Sequence, residues 1–318
     1  MSTPPLTPSR ALGTTGVLVS PLCFGGNVFG WTVDRDDSFT LLDEYVAQGG
    51  NFIDTADVYS EWIPGNSGGD SERIMGEWLR TRGNRADVVI ATKVAKLTAR
   101  RGLAPDNIRA ALDDSLQRLE TDYIDLYYAH EDDENVPMLE YLQAFDEAVR
   151  SGKVRHLGAS NFSPARLSEA LRLQREHGLA PFVAIQDLYN LVERRAYEEN
   201  LAPLVAEYQM SVLPYYSLAK GFLTGKYRPG VEVESARAKG AMVYLDERGE
   251  RVLAALDQVA AAHSCPVGAV SLAWLLTRPG VAAPIASART PEQLADLLPM
   301  ATITLRPDEI ALLDDASA

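Results

Sequence analysis

The sequence is poor in cysteine, in basic residues and in long apolar runs. Its cysteines are Cys23 and Cys265 alone. Each lies in an apolar stretch with no paired spacing, which argues against a disulfide framework and against zinc. No HExxH or CxxC pattern offers a metal site. No apolar run approaches the ~20 residues needed to cross a bilayer, and the opening MSTPPLTPSR lacks the apolar core of a secretory signal. These absences point to a cytoplasmic protein. Lys and Arg total 30 against 44 Asp and Glu, a net charge of −14. With no basic stripe to neutralise phosphates, general nucleic-acid binding is excluded. An anionic ligand would need a local basic patch. No G-x-G-x-x-G opens a βαβ unit, which disfavours a Rossmann site.

What is present is an alternation of short apolar strands and amphipathic helices. Strands are expected at Leu22–Phe24, Asn51–Asp54, Val88–Thr92, Tyr123–Tyr128, Val154–Gly158, Phe182–Gln186, Val212–Tyr215 and Ala283–Ala286. Helical patterns lie between them, such as Asp36–Gln48, Ser71–Arg80, Pro105–Leu119, Met138–Ser151, Ser163–His177, Leu201–Tyr208 and Val252–His263. Alternation over the whole chain implies parallel strands, and eight repeats imply closure into a (β/α)₈ TIM barrel. Residues 1–318 then form a single domain, with Met1–Ser9 a loose Pro-rich lead and Cys23 a small hydrophobe in the first barrel strand. Arg10–Ser20 reads as a β-hairpin placed to plug the barrel's bottom. Two loops break the repeat, WIPGNSGG at Trp62–Gly69 and the long Lys220–Arg251 stretch after strand seven. Both belong to the C-terminal face, where barrels of this kind place their sites.

Chemistry concentrates at the same rim. NFIDTADVY brings Asp54 and Tyr59 off strand two, VVIATKV brings Lys93 off strand three, and YIDLYYAH brings His130 off strand four. Taken singly, each has an ordinary use: a packed phenol, a rim lysine, a helix cap, a satisfied histidine. Together they make a general-acid site. An ammonium beside a phenol favours phenolate and would bring the Tyr59 pKa down from about 10, while Asp54 holds Lys93 charged. His130, if neutral, donates to a substrate oxygen.

The runs GGNFIDTADVY, ATKV, DLYYAH and GKVRHLGASNF resemble the aldo-keto reductase superfamily, and more closely its bacterial members related to potassium-channel β-subunits. The likeness spans about Ala11 to Leu298. It implies that Asp54, Tyr59, Lys93 and His130 form the catalytic tetrad, and that NADPH reduces a small carbonyl substrate without a metal. By motif, Ser160, Asn161 and Gln186 match the positions that hold the nicotinamide carboxamide. Tyr215 matches the aromatic that stacks on the ring, with Tyr216 its rival, because this chain reads Tyr-Tyr-Ser-Leu-Ala where Tyr-Ser-Pro-Leu-Ala is usual. Ser217, Leu218, Lys220 and Gly225 match the pyrophosphate segment, the long loop clamping the cofactor. Ser287, Arg289 and Gln293 match the surroundings of the adenosine 2′-phosphate. Asp296-Leu297 replaces a usual Glu-Asn pair, and Glu131 follows His130 where a Trp is common.

The residues alone give a compatible reading of that site. Gly26, after Gly25 at the end of strand one, permits close backbone approach to a ligand. Lys220, Lys226, Arg228 and Arg289 supply the local basic patch, and a guanidinium suits a dianionic phosphate. Trp31 and Trp62 are expected to wall the substrate mouth. Two other functions remain open at this level. One is a Schiff-base enzyme acting through Lys93. The other is a cofactor-sensing subunit like the channel-associated relatives.

Overall fold

A computed structural model describes residues 5–318. Ten strands and their helices run in the expected alternation. β1 (Arg10–Ala11) and β2 (Leu18–Val19) pair antiparallel as the N-terminal hairpin. The parallel sheet comprises β3 (Cys23–Gly25), β4 (Phe52–Asp54), β5 (Val89–Val94), β6 (Ile124–Ala129), β7 (Val154–Ser160), β8 (Phe182–Gln186), β9 (Ser211–Val212) and β10 (Ile285–Ala286). Its order is β10-β3-β4-β5-β6-β7-β8-β9. The Val212 N–H donates to Gly280 O at 2.8 Å, Ala282 N–H to Val212 O at 3.1 Å and Ile285 N–H to Pro214 O at 2.9 Å. These bonds join β9 to the segment entering β10 and close the barrel.

β9 and β10 are shorter than the strands expected at Val212–Tyr215 and Ala283–Ala286. Each expected strand contains a proline, Pro214 or Pro284. Proline has no N–H to give the ladder, so regular pairing stops beside it. The helix expected at Leu201–Tyr208 is α7 (Ala202–Glu207), with Pro203 in its first turn, and a separate α6 (Arg195–Asn200) precedes it. The remaining helices lie outside the sheet: α1 (Arg35–Ala47), α2 (Asp70–Arg82), α3 (Pro105–Arg118), α4 (Met138–Arg150), α5 (Pro164–His177), α8 (Ala238–Ala241), α9 (Glu247–His263), α10 (Val267–Leu276), α11 (Pro291–Leu297) and α12 (Pro307–Ser317). No single helix among the described residues is long and apolar enough to cross a membrane.

Alternation along the strands divides the core into two compartments. In β5, Ile90 and Val94 pack outward on the helices, while Val89 and Ala91 join Phe52, Leu126 and Ala184 inside the barrel. The hairpin contributes Leu12 and Val19 to that inner compartment and closes the barrel's lower end. Gly13, at φ +52°, donates its N–H to Ser211 Oγ at 2.7 Å, and a Cβ there would stand 2.6 Å from Val183 O. The lead docks earlier than expected. Leu6 is fully buried and its N–H donates to Gln48 O at 2.9 Å; residues 1–4 lie outside the described part.

Candidate active site

The inner face carries the site by simple parity. Along β5, Val89 and Ala91 point inward, and the next residue on that face is Lys93. Along β6, Leu126 and Tyr128 are followed by His130, one step past the strand. Along β4, Phe52 is followed by Asp54, and along β8, Ala184 by Gln186. The barrel's apolar filling therefore ends, at the C-terminal rim, in a layer of acid, amine, imidazole and amide. Gly158 makes room beneath that layer, since a Cβ there would lie 2.4 Å from the Tyr128 ring.

Lys93 is wholly buried. Its ammonium donates to both Asp54 oxygens at 2.7 Å, to Thr55 O at 2.6 Å and to the Tyr59 hydroxyl at 3.1 Å. Tyr59 in turn donates to Asp54 Oδ2 at 3.2 Å, and Gln186 Nε2 donates to Asp54 Oδ1 at 2.8 Å. Burial lowers the Lys93 pKa, opposed by Asp54. The expected lowering of the Tyr59 phenol does not hold here. Burial, and then the Asp54 carboxylate, push it well above its ordinary value. Burial is the larger cause, and the Asp54 carboxylate, which accepts from the phenol, adds to it. Tyr59 is thus a fully protonated donor at neutral pH. Burial, with Lys93 and Lys96 nearby, drives the His130 pKa well below its usual 6.5, so the imidazole is neutral. Its ring stands edge-on to Tyr59, centroids 6.2 Å apart.

Above this floor opens a cavity of about 600 Å³. Asp54, Tyr59 and His130 line it, while Lys93 lies beneath. Trp31 and Trp62 form part of its wall, packed edge to face with centroids 5.6 Å apart, and Trp62 also meets Tyr59 at 6.3 Å. The residues matched to cofactor binding come together on the same cavity: Ser160, Asn161, Gln186, Tyr215, Ser217, Leu218, Lys220, Lys226, Ser287, Arg289 and Gln293. Gly26 and Gly225 are not on its lining. Gly26 instead lets α2 approach β4, its missing Cβ standing 3.0 Å from Asp54 O and Ser71 Oγ. It is Gly25 that faces the cavity, where a Cβ would sit 2.7 Å from Ser287 Oγ. Gly225 takes φ +81° to end the turn after Ser217. Arg228 is also off the cavity, paired with Asp257 at 2.7 Å.

Tyr215 is pinned. Its hydroxyl donates to Asn161 Oδ1 at 2.9 Å, and Asn161 Nδ2 donates to His130 O at 2.8 Å and Ser160 Oγ at 3.0 Å. Tyr216 also lines the cavity but is more exposed, with the Lys220 ammonium 5.3 Å from its ring centre. Tyr216, Ala219 and Lys220 all take positive φ (48°, 47° and 58°), so the turn wraps the cavity tightly at the expense of backbone strain.

Charge distinguishes one part of the cavity. Among the described residues, Lys220, Lys226, Arg289 and Arg237 make no ion pair, although acids outnumber bases across the chain. Arg237 escaped the sequence reading. It lies in the long loop after β9, its guanidinium 5.4 Å over the Trp31 ring and its Nη2 buried without a partner. Burial lowers the pKa of Arg237 and of Lys226, and Arg289 adds repulsion to both. Cations so crowded and unpaired suit a polyanion with more than one phosphate. No three His, Cys, Asp or Glu cluster to hold a metal ion among the described residues.

A parallel barrel whose inner face ends in such a donor layer, under a cation-lined cavity, is the frame of an oxidoreductase. The chain belongs to the aldo/keto reductase family, whose model matches residues 21–318. It is 33% identical to norsolorinic acid reductase B of Aspergillus parasiticus, covering 99% of this chain and 85% of that one. It is 34% identical to the uncharacterized oxidoreductase YrpG of Bacillus subtilis, over 96% of this chain and 94% of that one. An aryl-alcohol dehydrogenase of Pestalotiopsis microspora is 29% identical over 96% and 83%.

Proposed function

We propose that the protein reduces aldehydes or ketones to alcohols with NADPH, Tyr59 serving as the general acid. The observation that carries this reading is the buried Lys93 bonded at once to Asp54 and Tyr59 on the cavity floor. The names of the relatives, a norsolorinic acid reductase and an aryl-alcohol dehydrogenase, agree with carbonyl–alcohol chemistry.

The residues present fit the cofactor. Lys220, Lys226, Arg237 and Arg289 would hold its phosphates, with Arg289 and Gln293 at the 2′-phosphate. Ser160, Asn161 and Gln186 would hold the carboxamide, and Tyr215, fixed through its hydroxyl, offers the stacking face. When bound, a reduced nicotinamide supplies the hydride for the carbonyl carbon. The chain's own residues do the rest. Tyr59 and neutral His130 donate to the carbonyl oxygen and polarise it. Tyr59 then gives up its proton to the forming alkoxide. Lys93, at 3.1 Å, stabilises the phenolate left behind, and Asp54 keeps the amine charged and aimed. Trp31 and Trp62 flank the entering substrate.

Absorbance at 340 nm with NADPH and 4-nitrobenzaldehyde tests the reading. Steady oxidation dependent on the aldehyde is expected. Tight NADPH binding with no turnover across a panel of aldehydes and ketones would favour the cofactor-sensing alternative, and a borohydride-trapped adduct on Lys93 would favour the Schiff-base one.

A further inference from the structure

We propose that Lys96 selects carbonyl substrates carrying a second, anionic group, such as an aromatic aldehyde with a ring carboxylate. The proposal rests on the carbonyl-reduction reading and extends it to substrate class. Lys96 lines the cavity shared by Tyr59, His130, Trp31 and Trp62. The chain is forced to bring it there. β5 ends at Val94, and the buried Ala95 takes φ +116°, a conformation that a non-glycine residue adopts only when its surroundings enforce it. The loop is then braced on both sides. Ala95 O accepts from the Gly102 N–H at 2.9 Å, and Glu61 Oε1 accepts from the Thr98 N–H at 3.0 Å. Thr98 Oγ1 adds a bond to Glu61 Oε2 at 3.0 Å.

The ammonium so placed is nearly unspent. Among the described residues its one ion-pair partner, Glu131, stands 3.6 Å away, beyond hydrogen-bond range, and Glu131 does not line the cavity. Elsewhere the chain closes such pairs, Lys153 to Asp113 at 2.5 Å for example. Near the reaction centre the cavity has no free acid to oppose Lys96, because Asp54 is held by Lys93. Its charge also reaches that centre, being one cause of the lowered His130 pKa. The phosphates of the cofactor account for Lys220, Lys226, Arg237 and Arg289 under the reading above, and Lys96 is left over. Indole walls, with Lys96 on the same cavity and Arg237 stacked over Trp31, suit a flat ring bearing an anion.

The test compares 4-carboxybenzaldehyde with its neutral methyl ester, methyl 4-formylbenzoate, by kcat/KM at saturating NADPH. Wild type should favour the acid by roughly tenfold, the scale of a charge-assisted bond at a partly exposed lysine. The preference should shrink at high salt. Lys96→Gln should bring the ratio near one, Lys96→Arg should keep it, and Lys96→Glu should reverse it. An unchanged ratio in Lys96→Gln, or no preference in wild type, overturns the proposal. Quenching of tryptophan fluorescence by the two aldehydes gives the same ratio as a binding constant. If neither compound is turned over, a Lys96-dependent preference in binding supports the role of Lys96 and counts against carbonyl reduction. A binding ratio indifferent to Lys96 overturns the role itself.

Discussion

Lys93 Nζ stands 3.1 Å from the Tyr59 hydroxyl while holding both oxygens of Asp54 at 2.7 Å. The amine serves two masters inside one buried cluster. Its charge is largely spent on Asp54, so its effect on Tyr59 is felt when the phenol loses its proton, not before. Under the proposed mechanism, Lys93 would stabilise the transition state more than it lowers a resting pKa.

That distinction can be measured with Lys93→Met. Removing one partner of a buried ion pair leaves the other uncompensated, typically at about 3–5 kcal/mol. The single variant should lose stability and at least about 10²-fold in kcat. Adding Asp54→Asn should restore much of the stability, seen as a rise in Tm, and none of the activity. Recovery of activity together with stability would reduce Lys93 to a structural partner.

The pH profile follows from the same geometry. Burial and Asp54 hold the Tyr59 pKa above its ordinary value near 10, so the acid form persists through the alkaline range. His130, its pKa well below 6.5, stays neutral down to mildly acidic pH. Reduction should therefore be flat from about pH 6.5 to 9, and alcohol oxidation, which needs phenolate, should climb with pH across that range. A reduction rate that halves by pH 8 would place the phenol pKa far lower than this site allows.

Cofactor choice rests on cations without partners. NADPH should bind more tightly than NADH by about 10- to 150-fold, equivalent to ~1.5–3 kcal/mol for a hydrogen bond to a charged group. Arg289→Ala should erase most of that margin and leave NADH nearly unchanged. Arg237→Gln should weaken both dinucleotides alike, because its buried Nη2 would meet a phosphate common to the two. Fluorescence titration of each protein with each cofactor separates these patterns. Equal wild-type affinities would remove Arg289 from the 2′-phosphate.

The strand ends were legible because parity is legible. Once Val89 and Ala91 are read as one face, Lys93 must follow them, and the same holds for His130 after Leu126 and Tyr128. Gly26 shows the cost of missing that step by one residue: it is Gly25 that faces the cavity, and Gly26 packs under α2. Arg237 was not legible, since the loop holding it has no period and its charge looks like any solvated one. The α10 segment hid for the opposite reason. It is buried on nearly every face, from Gly268 to Leu275, so no amphipathic rhythm marks it. Pro214 and Pro284 were legible signals for the short β9 and β10. The lowered phenol pKa failed because residue types alone do not say how deeply Tyr59 is buried beside the Asp54 carboxylate.

The central claim is that Tyr59 supplies the proton, and single-turnover reduction by Tyr59→Phe tests it most directly. Enzyme saturated with NADPH is mixed with 4-nitrobenzaldehyde, and cofactor oxidation is followed alongside an independent titration of NADPH binding. The variant should bind NADPH as wild type does and oxidise it at least about 10²-fold more slowly, the scale of general acid catalysis. A rate within threefold of wild type would contradict the account, for the phenol would then be a bystander to the chemistry above it.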